Sequence, residues 1–131
     1  MWRAGGRDQP TGLAAYDVAE VVADGVLGMG QGVIVDAVNA VEAARGQERS
    51  LADHHGVPVV SIEVVCSDPL VHRRRLENRS WGKGFAELTW EVVEPLREEF
   101  ALWPDHRLVL DTMTDLPLNV ATALGLLSPT A

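Results

Sequence analysis

Residues 58–69 read PVVSIEVVCSDP, and this stretch decides the fold class. Pro58 opens the longest strand candidate in the chain, Val59 to Val65. Ser67-Asp68-Pro69 then starts a helix at once, with Asp68 as N-cap and Pro69 at the first helical position. A strand that passes directly into a helix is half of a βαβ unit.

On the N-terminal side, Asn39 with Glu42 three residues on forms a capping-box arrangement for a helix that runs to His55 and is closed by Gly56. Before it, Val33-Ile34-Val35 is apolar on both faces, suits a buried parallel strand, and ends in Asp36. Earlier still, Ala14, Val18, Val21, Val22, Val26 and Leu27 recur at helical spacing from Leu13, and Gly28, Gly30 and Gly32 stop that helix. Residues 1–12 read as a loop or a cut end.

On the C-terminal side, the helix begun at Pro69 carries His72-Arg73-Arg74-Arg75 and reaches about Arg79. Residues 80–88, with Trp81, Gly82, Lys83 and Gly84, read as a mobile, lid-like loop. Thr89 starts a helical stretch that Pro95 should kink or divide. Arg107 to Asp111 is the last strand, and 117–127 a closing helix. Helices and strands therefore alternate, which implies an α/β domain with parallel strands joined by right-handed crossovers. Ligands in such folds bind beyond the carboxyl ends of the strands. Asp36 to Asn39, Cys66 to Asp68, and Asp111-Thr112 are the residues at those ends.

Composition limits the partners. The 131 residues fit one domain, taken as 1–131, and carry a net charge of −8 with pI about 4.8. An acidic surface repels nucleic-acid phosphates and anionic membranes, so any anion site must be local. No apolar run approaches the roughly 18 residues needed to span a bilayer. The first residues lack the apolar core of a signal peptide. Cys66 is the single cysteine, which leaves no internal disulfide. The expected compartment is the cytoplasm.

Several residues carry chemistry or a simpler structural role. Asp36 at a strand end is the Walker B arrangement of a carboxylate near magnesium, but any strand-end Asp can simply cap the following turn, and taken alone that simpler reading wins. Asn39 reads as a helix cap on its box with Glu42, with a substrate contact as the alternative because a cap side chain at that edge would face the cleft. Arg75 and Arg79 lie four apart, so both can project from one helix face, and forked guanidinium donors suit a polyphosphate. The same run also reads as a solvated basic face paired with Glu77. By spacing, the four histidines form no ligand set, and His54-His55 at a helix end is explained by the helix dipole. Cys66 reads as a small buried hydrophobe. Gly82-Lys83-Gly84 is not a phosphate loop. Glu77 stands where the motif G-x-x-x-x-G-K-[ST] needs its first Gly, and the segment follows a helix rather than a strand.

Thr11 to Tyr16 through Val33-Ile34-Val35-Asp36-Ala37-Val38-Asn39 resembles the middle of small bacterial P-loop kinases of the AAA type, a group that includes polynucleotide kinases, zeta toxins and chloramphenicol phosphotransferases. Ile62 to Pro69, then His72 to Arg75 and Arg79, is similar to their fourth strand and lid helix. Thr89-Trp90-Glu91, Trp103 and Leu108 to Thr112 resemble the tail of the same pattern. The resemblance implies a P-loop NTPase-like parallel sheet, with ATP and magnesium as cofactors and phosphoryl transfer to a small molecule or a polynucleotide end. In it, Asp36 would lie beside magnesium and the acceptor, Arg75 and Arg79 would be lid arginines on the phosphates, and Asp111-Thr112 would lie near the adenine loop.

The family pattern begins with a central strand, the phosphate loop and a helix, a βαβ unit of about 30 residues or more. Met1 falls where that unit ends. The expected fold is accordingly incomplete, lacking central strand and phosphate loop, and the chain an N-terminally shortened version that binds no ATP or magnesium alone. The missing strand belongs between Val33–Val35 and Val59–Val65. The open strand edges so left are expected either to destabilise the chain or to pair with a partner, including a second copy.

Overall fold

The computed structural model describes residues 9–38, 42–79, 88–101 and 106–128. They form helices α1 (Gln9–Gly28) and α2 (Glu42–His55), strand β1 (Ile62–Val65), helices α3 (Pro69–Glu77) and α4 (Trp90–Ala101), strand β2 (Leu108–Asp111) and helix α5 (Leu116–Leu127). The fold divides into two compact units, Met1–Val59 with Glu99–Ala101, and Val60–Glu98 with Leu102–Ala131.

In the first unit, α1 and α2 end alike. Gly30 and Gly56 have φ of 78° and 65°, the left-handed conformation that a side chain disfavours. At α1, Gln31 N–H donates to Val26 O (3.3 Å) and Gly30 N–H to Leu27 O (2.9 Å). At α2, Val57 N–H donates to Ala52 O (3.0 Å) and Gly56 N–H to Asp53 O (3.1 Å). Each pair is a Schellman closure. The helices run side by side in the same direction, because Gln47 meets Asp17 and Glu20, while His55 meets Asp24 further along both. Their buried residues are small or amphipathic: Ala23 on α1, and Ala44, Arg45 and Ala52 on α2.

In the second unit, β1 and β2 pair in parallel, with Ile62 opposite Leu108 and Val65 opposite Asp111. The crossover between them carries α3 and α4, so the βαβ organisation read from residues 58–69 holds. The N-cap of α3 is as the sequence implies. Asp68 Oδ1 accepts from Leu70 N–H (2.9 Å) and Val71 N–H (3.3 Å), ahead of Pro69. Inside the sheet, Glu63 is only 7% exposed and is paired with the Arg107 guanidinium. No helix among the described residues is long and apolar enough to cross a membrane.

Several boundaries differ from the sequence reading. Helix α1 begins at Gln9 rather than Leu13, since nothing in Gln9 to Gly12 opposes helix strongly enough and Pro10 sits in its first turn. Val33–Val35 is not a strand: it makes no ladder bond among the described residues, and Ile34 is 87% exposed. Apolar, β-branched residues favour extension, but a strand exists only where a neighbour supplies hydrogen bonds. For the same reason β1 is shorter than Val59–Val65, with Val59 and Val60 exposed before the pairing starts. Helix α3 ends at Glu77, capped by Asn78, instead of reaching Arg79. Pro95 does not divide α4. It deprives only the Glu91 carbonyl of its helical donor, and the turns on either side hold. Asn39 and the loop of Trp81 to Gly84 lie outside the described residues.

Candidate functional site

The carboxyl ends of β1 and β2 are locked together by Asp111. Its Oδ1 accepts from Ser67 N–H (3.1 Å) and Met113 N–H (3.0 Å), and its carbonyl accepts from Asn119 Nδ2 (2.8 Å) at the start of α5. The hydrogen bonds from Ser67 first, then from Met113, hold its carboxyl below the usual carboxylate range, with help from the Arg75 charge. Thr112 N–H donates to Val65 O (2.7 Å), extending the ladder by one bond.

Helix α3 delivers Arg75 to this junction. Its Nη1 donates to Thr112 Oγ1 (2.8 Å) and reaches Cys66 Sγ (3.7 Å), while Nη2 donates to Thr112 O (3.4 Å). The fold thus gathers three of the residues singled out from sequence: Arg75, Asp111 and Thr112. Among the described residues, Arg75 makes no ion pair. Arg73, two positions earlier, faces away and donates to Glu77 Oε1 (2.8 Å) across one helical turn.

Arg79 follows the end of α3, where its N–H donates to Leu76 O (3.2 Å). Its side chain lines a hollow of about 280 Å³ with Glu77, Thr89 and Trp90. The helix ends before Arg79, so a shared face with Arg75 is no longer fixed by helical periodicity. Asp36 belongs to the first unit and lies exposed in the segment after α1. It joins no cluster of three metal-ligating side chains among the described residues.

The sequence reading missed Arg97. From α4, its Nη1 donates to Cys66 O (2.9 Å) and to His72 Nδ1 (2.5 Å), and its guanidinium lies 5.8 Å from the Trp90 ring centre. Trp90 meets the His72 ring edge-on at 5.3 Å. The spacing of seven between Trp90 and Arg97, two turns of one helix face, was the available signal. Arg97 therefore ties α4 and α3 to the end of β1.

This arrangement requires His72 to stay neutral, since Nδ1 must accept. Burial, then the charges of Arg97 and Arg75, hold its pKa below the ordinary 6.5. A depressed histidine binds fewer protons when folded than unfolded, so stability is constant above the ordinary value and falls as pH drops below it. Melting temperature is expected to decline between pH 6.5 and 5. His72→Gln should flatten that decline, and an unchanged slope in the variant would show that other groups set it.

The sequence pattern of the AAA domain family, whose members are P-loop kinase-like, matches residues 3–102. The chain belongs to this AAA domain family. No curated protein matches the chain. The mixed α/β fold, with its two-stranded parallel sheet and five helices among the described residues, is consistent with an incomplete P-loop NTPase-like domain. Nucleotide binding is the function class this family carries. Arg75, Arg79, His72 and Arg97 lie within the span matched to the AAA domain, and Asp111-Thr112 just beyond it.

Proposed function

We propose that the chain contributes to ATP-dependent phosphoryl transfer, a kinase or phosphotransferase activity toward a small molecule or a polynucleotide end. The observation that carries this reading is Arg75, hydrogen-bonded to Thr112 at the carboxyl ends of two parallel strands and without a carboxylate partner among the described residues. A guanidinium satisfied only by neutral acceptors can exchange them for a ligand without breaking an ion pair. In this reading Arg75 and Arg79 meet the nucleotide, Asp111 and Thr112 shape its base side, and Asn39 contacts the acceptor. Asp36 is the carboxylate nearest magnesium.

The ATP phosphates are the part these 131 residues do not fit. Backbone amides of a phosphate loop and its Lys make most of the triphosphate cradle, and no G-x-x-x-x-G-K-[ST] occurs in the sequence. Magnesium fits no better, because a single exposed carboxylate does not make an oxygen shell. Arg75 and Arg79 can bind and orient, but the sequence holds no phosphate-loop motif to oppose them across the phosphates.

The polypeptide of these residues alone is thus expected to bind ATP–magnesium only weakly. Calorimetry is expected to return a dissociation constant above about 10 µM, less than about 7 kcal/mol of binding. A tighter value would overturn this view of the phosphate cradle.

A second reading is a non-catalytic module that pairs its open sheet edges with a partner chain, including another copy. It is favoured by the two-stranded sheet, by the exposed run at Val33-Ile34, and by the absence of any large, fully buried apolar side chain among the described residues. Light scattering with thermal melts over a hundredfold concentration range separates the readings. The module is expected to show association and a concentration-dependent melt. A sharp melt from a strict monomer counts against it.

A further inference from the structure

We propose that Asp24, His54 and His55 form a site for one divalent cation of the zinc class, joining the ends of α1 and α2. Sequence spacing gives no ligand set around the two histidines. The fold supplies the third member, because α1 and α2 run side by side and bring Asp24 to the last turn of α2. One donor atom from each of the three residues lies within 4.8 Å of the others. His55 Nε2 is already 2.6 Å from Asp24 Oδ1. Donors bound to one zinc ion at about 2.0–2.2 Å sit roughly 3–4 Å apart, so side-chain rotation alone closes the set.

The donor chemistry selects the metal. Two imidazole nitrogens and one carboxylate oxygen suit zinc and its neighbours, whereas magnesium and calcium take oxygen shells. All three residues lie within reach of solvent, so water is available for a fourth position. The electrostatics favour a cation independently. Asp24 lies about one turn before the carboxyl-terminal end of α1, and His54 and His55 lie in the last turn of α2, so the cluster is near two helix ends that each carry partial negative charge. Elsewhere the contact between α1 and α2 includes small buried alanines and Gln47 with Asp17 and Glu20. An ion here would cross-link the two helices.

The test is zinc titration of the tag-free chain against a chromophoric chelator, with melting followed by circular dichroism. One zinc ion per chain and a higher melting temperature with zinc are expected. Asp24→Asn, His54→Ala and His55→Ala should each weaken affinity on the order of tenfold or more. His106→Ala, elsewhere in the sequence, should match the parent. Spectra without metal establish that each variant keeps its helices. Equal affinity in parent and His55→Ala, or displacement of zinc by millimolar magnesium, would overturn the proposal.

Discussion

Arg107→Ala is expected to cost about 3–5 kcal/mol of stability, because it leaves the Glu63 carboxyl group inside the sheet with its guanidinium partner removed. A domain of this size has about 5–15 kcal/mol in total, so a single substitution consumes a large share. The pair itself need not be favourable. Two charges taken from water often gain no more than well-packed apolar residues would. Glu63→Leu combined with Arg107→Leu is therefore expected to recover most of the loss. Urea midpoints for the parent, the single variant and the double variant measure this. A single-variant cost under about 1 kcal/mol would place the pair with ordinary surface salt bridges.

Arg79→Ala is expected to lower single-turnover ATP consumption about 10³-fold in a polypeptide that carries a phosphate loop in frame with these residues. A guanidinium that meets charge developing on the transferred phosphoryl group acts on the rate, and an exposed side chain adds little to stability. Its melting temperature should therefore stay nearly unchanged. Arg73→Ala is the control. Its bond to Glu77 is an exposed pair along one helix face that adds little to stability, and its loss should leave turnover intact. Equal, small effects of both substitutions would return the basic run to the role of a solvated helix face.

What the sequence made legible follows from the range of the forces involved. Asp68-Pro69 and Gly56 act on their own helix ends through bonds spanning a few residues, and both sit where local rules put them. The Arg73–Glu77 pair is of the same kind. The parallel pairing of β1 with β2 followed from alternation of elements, a rule of connection rather than of side chains. Val33–Val35 was misread because a strand is completed by hydrogen bonds from elsewhere, which its own residues do not encode. The site was legible in part. Arg75 was singled out as a charge, yet its meeting with Thr112 depends on how α3 leaves β1. Arg97 and His72 gained their roles only when α4 packed beside α3, a contact between residues 25 apart.

The single thiol makes the junction observable. Cys66 is 8% exposed, at the end of β1, with Arg75 on its sulfur and Arg97 on its carbonyl. An alkylating reagent reaches it only when that junction opens, so the labelling rate reads out local opening independently of global unfolding. With one cysteine in the chain, every labelled molecule reports the same position. Ligands that draw Arg75 or Arg97 away should speed labelling, and ligands that clamp the strand ends should slow it. The molecule thus carries its own gauge of how tightly the ends of its two strands are held.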